Sequence, residues 1–137
     1  MAECAFVALG SNLGDRRAYL AEARKRIARI SDTEIAAASV IEETAPLGAV
    51  PQGSYLNQMV LLRTALGPRA LLERLLAIER EMGRVRSKPW GPRIIDLDIV
   101  QYDARVVSEP GLRIPHPELP NRDFWQRELA ELLPHAG

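Results

Sequence analysis

Several residue types that would advertise common chemistries are scarce in this sequence. Of its 137 residues one is cysteine, Cys4, so no internal disulfide can form and a disulfide-stapled scaffold is excluded. Cys4 falls in an apolar run and is expected to be buried. Only two histidines occur, and His116 has no second His, Cys or catalytic Ser at a telling distance, which argues against a zinc site or a hydrolase triad. No stretch approaches the roughly 18 consecutive apolar residues of a membrane span, and no basic segment leads into an apolar one at the N-terminus, so neither a span nor a signal peptide is expected. The chain therefore reads as cytoplasmic, with no membrane partner. Net charge is also missing: eighteen Lys and Arg balance eighteen Asp and Glu, and the pI is near 6.7. A protein that held nucleic acid by its overall field would be basic, so no nucleic-acid partner is expected. Lysine is confined to Lys25 and Lys88, leaving sixteen of the eighteen cations as Arg, whose planar fork matches phosphate and carboxylate oxygens.

What is present is an ordinary globular composition. At 47% hydrophobic residues, a chain of this length can bury one core, and residues 1–137 read as a single domain without repeats, low-complexity tracts or linkers. Residues 4–9 predict a buried strand ending at Gly10. Asp15 then caps a helix over 15–30, in which Tyr19, Leu20, Ala23, Ile27 and Ile30 recur at helical spacing. Residues 35–44 are β-leaning and stop at the turn-rich 45–54, a loop long enough to be functional or mobile. Residues 55–64 alternate as a strand, with Tyr55, Asn57, Met59 and Leu61 on one face. Gly67 and Pro68 open a second helix whose stripe is Leu71, Leu72, Leu75, Leu76, Ile78 and Met82, and Gly83 closes it. Residues 94–102 predict a strand, and about 122–133 a short third helix. The order β-α-β-β-α-β plus a helix belongs to the α+β class: a ferredoxin-like sandwich, a four-stranded antiparallel sheet with two main helices on one face, a short C-terminal helix, and the other sheet face open.

Charge is segregated although its sum is zero. Residues 84–93 carry Arg84, Arg86, Lys88 and Arg93 and no acid, whereas 94–104 carry Asp96, Asp98 and Asp103 and no cation. Strand alternation puts Asp96 and Asp98 on one face and Ile95, Leu97 and Ile99 on the other. Two adjacent carboxylates suit Mg²⁺ bound together with substrate phosphates, or else mark an acidic exposed edge. A cationic loop, stiffened by Pro89 and Pro92 around Trp90, that runs into such a strand is the arrangement phosphoryl transfer needs. Glu79 lies on the apolar stripe of the second helix, facing either an Arg or a site. Tyr55 and Asn57 would stack on and hydrogen-bond a planar ring if their face is open; otherwise Tyr55 is core. In the proline-broken segment 113–124, a neutral His116 would donate to phosphate or backbone. The GSNLGD loop (10–15) is neither a P-loop nor a GxGxxG fingerprint, and its glycines are expected to shape the entry to the first helix.

Four blocks, VALGSNLGDR (7–16), ETAPLG with YLN (43–48 and 55–57), GRVR with WGPRIIDLDI (83–86 and 90–99) and IPHPELPNRDF (114–124), together resemble the 6-hydroxymethyl-7,8-dihydropterin pyrophosphokinases of folate biosynthesis. The resemblance runs in order over nearly the whole chain. It implies the ferredoxin-like fold, a cytoplasmic monomer, and transfer of pyrophosphate from ATP to the pterin hydroxymethyl group with release of AMP. It further implies that Asp96 and Asp98 hold two Mg²⁺ ions on the ATP phosphates, that Arg84 and Arg93 act catalytically on the transferring group, and that Arg86 and Trp90 ride on a loop closing over ATP. Tyr55 and Phe124 would sandwich the pterin, with Asn57, Thr44 and the backbone at Leu47 reading its edge. Glu79, Ile99, His116 and Arg122 would line the ATP side. The chain departs from well-known members at Gly111 and Arg113, where they carry Arg and Thr, and at Pro117, where they carry Tyr. Arg113 is expected to supply the missing cation from two residues on.

Two other readings share the fold. A non-catalytic RNA-binding module would use the open sheet face, where only Phe6 and Tyr55 are aromatic. A degenerate relative would bind pterin or nucleotide without turnover.

Overall fold

The apolar run at the N-terminus becomes the central strand β1 (Glu3–Ser11), with Ala5, Val7 and Leu9 buried on one side and Phe6 and Ala8 on the other. The computed structural model describes residues 2–45, 53–83 and 94–136. After β1 come α1 (Arg16–Ile27), β2 (Thr33–Ala38), β3 (Glu42–Thr44), β4 (Tyr55–Thr64), α2 (Pro68–Glu81), β5 (Asp96–Tyr102), β6 (Val107–Glu109), β7 (Leu112–Ile114) and α3 (Asp123–Leu132). The main sheet runs β2-β4-β1-β5, each neighbour antiparallel, and β3 also pairs with β4. Without β3 this is the strand order of the expected ferredoxin-like α+β sandwich.

Both main helices begin and end as their sequences dictate. The Asp15 carboxylate accepts from the Ala18 N–H at 3.1 Å, satisfying one of the free donors of the first turn of α1. Pro68 opens α2, and Gly83 ends it at φ +85°, a conformation that costs glycine little. Leu20, Ala23 and Ile27 of α1 and Leu71, Leu75 and Ile78 of α2 pack against Val7, Leu9, Val60, Leu62, Leu97 and Ile99.

Four features differ from the sequence expectation. The 35–44 segment is two strands, because Ser39 interrupts the ladder: its hydroxyl accepts from the Met59 N–H at 2.9 Å, and its carbonyl accepts from the Gln58 amide at 2.8 Å. A polar side chain thereby replaces a backbone partner, and pairing resumes at Glu42. The second sheet face is not open. Trp125 and Leu132 of α3 bury Phe6, Ala8, Met59, Leu61 and Val100 there, so Phe6, at 2% exposure, cannot serve an RNA-binding surface. A separate hairpin, β6–β7, follows β5 and turns at Gly111 with φ +74°. Cys4 is half-buried rather than buried.

Leu75 is fully buried in the helix-covered core, so Leu75→Ala should lower the unfolding free energy by about 2–5 kcal/mol. Urea denaturation measures it, and a loss below 1 kcal/mol would mean that this core is not packed as described.

Candidate active site

The face of the sheet toward α3 carries two polar rows set by strand register. Gly10 lies opposite both Asn57 of β4 and Asp96 of β5, and Ala8 lies opposite both Met59 and Asp98. Directly opposed residues share a face, so Asn57, Gly10 and Asp96 form one row and Met59, Ala8 and Asp98 the next. The alternate positions Leu56, Leu97 and Ile99 belong to the core under the helices. Hydrophobic alternation thus aims every polar member of the rows the same way.

At the β4 end, Asn57 is buried and its side-chain amide donates to the Thr44 hydroxyl at 2.7 Å. Thr44 of β3 lies opposite Tyr55. A β-carbon added to Gly10 would meet both the Asn57 side-chain oxygen and the Tyr55 ring at 3.4 Å. The Tyr55 ring therefore lies alongside the surface that Gly10 leaves bare. Phe124, at the start of α3, is half-buried, packs against the second core and meets Trp125 edge-on with ring centroids 6.3 Å apart. Tyr55, Asn57, Thr44 and Phe124 thus stand on the same side of the sheet. Arg16 fixes the stem of the intervening loop: its guanidinium donates to the Ser54 carbonyl at 2.8 Å and to Glu43 at 3.0 Å. The Ser54 hydroxyl and Arg16 together hold the Glu43 carboxyl below its usual pKa.

At the β5 end, a pocket of about 320 Å³ is lined by Leu72, Leu97, Asp98, Ile99, Arg113 and His116. Gly111 and Pro117 also line it, so the three positions expected from the resemblance to differ, Gly111, Arg113 and Pro117, all border this cavity. His116 is anchored to β5 through its own N–H, which donates to the Val100 carbonyl at 2.9 Å. Its ring Nδ1 accepts from the Glu118 N–H at 3.1 Å, which leaves the proton of the neutral ring on Nε2, 3.8 Å from an Asp98 oxygen. Burial, and then the charge of Arg122, hold the imidazole pKa below its usual value. A neutral His116 with Nε2–H turned toward the Asp98 side can donate to an anionic ligand, as its sequence context suggests.

Asp96 and Asp98 are both half-exposed on this face. Among the described residues no group of three His, Cys, Asp or Glu comes together. Two half-exposed carboxylates on one sheet face are the donor set of a Mg²⁺ ion that completes its shell with phosphate oxygens and water, and the residues present fit that ion.

Other predicted site residues separate. Ile99 and His116 line the pocket, but Glu79 does not: it is buried at 6% exposure, and its carboxylate accepts the Leu97 N–H at 2.8 Å. Glu79 thus holds in place the strand that carries the Asp pair. Arg122 stands with its guanidinium 4.3 Å over the Trp125 ring, while its buried Nε has no hydrogen-bond partner. That orphaned donor is the mark of a group awaiting an acceptor. Leu47, Arg84, Arg86, Trp90 and Arg93 lie outside the described residues. Sequence reasoning missed Gly10, whose lack of a side chain lets Asn57 and the Tyr55 ring close against β1. The signal was a glycine inside a strand pattern, whereas Gly14, at φ +71°, is the one that shapes the entry to α1.

Replacing Glu79 by Ala leaves the buried Leu97 N–H without this acceptor and should cost about 1–3 kcal/mol in urea unfolding. Glu79→Gln keeps an accepting oxygen and should lose less; equal losses would show that the hydrogen bond to β5 is not what Glu79 contributes.

The sequence profile of the family described as 7,8-dihydro-6-hydroxymethylpterin-pyrophosphokinase (HPPK) matches residues 6–134. A 2-amino-4-hydroxy-6-hydroxymethyldihydropteridine pyrophosphokinase of Methylorubrum extorquens is 41% identical over 95% of this chain and 82% of its own length. The Bacillus subtilis protein of the same name is 39% identical over 96% of this chain and 79% of its own. A solved structure titled as HPPK-DHPS in complex with substrates superposes on 100% of this chain and 41% of that one, with a TM-score of 0.70 at 15% identity, a likeness of fold. The chain belongs to the 7,8-dihydro-6-hydroxymethylpterin-pyrophosphokinase family.

Proposed function

We propose that this protein transfers the pyrophosphoryl group of ATP to the hydroxymethyl group of 6-hydroxymethyl-7,8-dihydropterin, giving the pterin diphosphate and AMP in tetrahydrofolate biosynthesis. The observation that carries the reading is the shared sheet face: a polar and aromatic cluster at Tyr55, Asn57 and Thr44, separated by Gly10 from Asp96 and Asp98, the second of which lines a pocket together with His116. A hydroxyl bound at the first site and a triphosphate at the second would meet over β1.

In the reaction the pterin hydroxyl oxygen bonds to the β-phosphorus of ATP. The bond from that phosphorus to the oxygen bridging to the α-phosphorus breaks, AMP leaves with that oxygen, and the hydroxyl proton passes to solvent. Asn57 and Thr44, with the backbone at Leu47, read the pterin edge, and Tyr55 and Phe124 hold its faces. Asp96 and Asp98 would hold Mg²⁺, two ions in this reading, which supplies charge neutralisation to the phosphates. His116 donates Nε2–H to the nucleotide, the free Nε of Arg122 offers a second donor, and Ile99 meets the base through its backbone. Glu79 acts on the same side by fixing Leu97. Arg84 and Arg93 would stabilise charge on the transferring group, with Arg86 and Trp90 closing over ATP; these four rest on the sequence blocks alone. Positioning and charge neutralisation, with no general base among these side chains, would supply most of the rate. The protein would act as a single-domain cytoplasmic monomer; among the described residues no helix is long and apolar enough to cross a membrane.

Incubation with ATP, Mg²⁺ and the hydroxymethyl pterin should release AMP; ADP, or no nucleotide product, would refute the assignment. Asp98→Ala should reduce turnover by roughly 10²–10³-fold or more while leaving the circular dichroism unchanged. Gly10→Val presses a side chain against Asn57 and the Tyr55 ring and should raise the KM for pterin roughly 10-fold or more. An unchanged KM would remove Gly10 from the pterin surface.

A further inference from the structure

One buried acid takes no part in this chemistry. Glu128 lies on α3, three residues after Trp125 and four after Phe124, on the inward side of that helix, and it is 0% exposed. No N–H or O–H of the described residues donates to either of its carboxyl oxygens. The group that faces it is the carboxyl of Glu42 on β3. Glu42 is in turn gripped by Arg127 at 2.9 Å and lies opposite Asn57 in the sheet, two residues before Thr44. A buried carboxylate with no donor beside another carboxylate is not tenable; one proton shared between the two acids satisfies both.

We infer that Glu128 is a positioning residue: its neutral carboxyl donates to the Glu42 carboxylate, clamping α3 to β3 and so fixing the spacing between Phe124 and Thr44. This rests on the reading that those two residues bound the pterin. Farther along the helix, Glu131 accepts the Val40 N–H at 3.1 Å, so α3 is tied both to the Ser39 interruption and to the strand that follows it. The charged groups whose fields reach Glu128 are Glu42 from β3 and Arg127 and Glu131 from α3 itself. Burial first, then the charge of Glu42 and the hydrogen bond with it, raise the Glu128 pKa from 4.5 to about 8, against the opposing effect of Arg127. The folded state therefore holds this proton more tightly than the unfolded chain. The contribution is fully present below about pH 4.5 and is lost as pH rises through about 8.

Glu128→Gln retains an N–H donor for Glu42 and cannot titrate. Relative to this variant, the wild type should lose stability steadily in urea denaturation from about pH 5 to about pH 8 and no further above it. A stability difference that is flat across that window would overturn the shared proton. In calorimetry with a non-hydrolysable ATP analogue present, wild-type affinity for the pterin should fall several-fold between pH 7 and pH 9 more than that of Glu128→Gln, while affinity for the analogue stays equal in the two proteins. Identical pterin profiles, with a pH-dependent stability difference, would overturn the link from the clamp to the pocket. If neither protein binds pterin at any pH, the assignment of the ring site itself fails, and the stability series still decides the proton.

Discussion

The register of β1 between β4 and β5 is the constraint on which everything else rests. Side chains alternate with a period of two, so a slip of one residue would turn Leu56, Leu97 and Ile99 outward and Asn57, Asp96 and Asp98 into the core. Each of those aliphatic side chains is stabilised by about 1.5–3 kcal/mol on burial, and each carboxylate would be severely penalised there. The site therefore takes its geometry from the packing beneath it. Helices α1 and α2 lend the site only Leu72 at the pocket wall and the supports from Glu79 and Arg16, yet the apolar face that they cover is what forbids the alternative pairing.

Polar groups inside the structure are used as fasteners. Glu79 reaches from α2 to the Leu97 N–H, Ser39 stands in for a backbone partner of Met59, and Arg16 binds the end of β3 to the start of β4. In each case a buried or half-buried backbone group finds its partner in a side chain from another element, which fixes two elements at once. The arrangement explains why the acidic strand β5 stays in place although its outward face carries two like charges.

Much of this was legible in the residue pattern. Strand β4 was predicted at its observed limits, Asp15 and Gly83 bounded their helices, and the alternation of DLDI assigned the two Asp to one face. What escaped was non-local. Ser39 breaks a strand only because Met59 and Gln58 happen to face it, and no local pattern reports that. The apolar residues of α3, Trp125 and Leu132, were visible, but which sheet face they would cover is decided by the path of 103–122 rather than by periodicity. Glu79 carried a true signal, an acid on an apolar stripe, and one of its partners is the Leu97 backbone amide, a contact between elements that no local pattern reports; the 84–93 segment expected to face it lies outside the described residues. The conformations of 46–52 and 84–93, which include Leu47, Arg84, Arg86, Trp90 and Arg93, lie outside the described residues.

The hairpin β6–β7 is a separate two-stranded unit that buries Leu112 and Ile114 in the core under the main helices; Arg69, which bonds Glu109 and the Pro110 carbonyl, and the backbone of His116 add polar ties to the main body. It contributes Gly111, Leu112 and Arg113 to the wall of the cavity beside Asp98 and His116 but no strand pairing to the β2-β4-β1-β5 ladder. Inheritance can therefore work on the two halves of the active centre at different speeds. The half built on the sheet is locked to a register and tolerates little, whereas on the hairpin the exposed Arg113 can be exchanged without disturbing a single main-sheet pair. Divergence within this lineage should accumulate on that rim first.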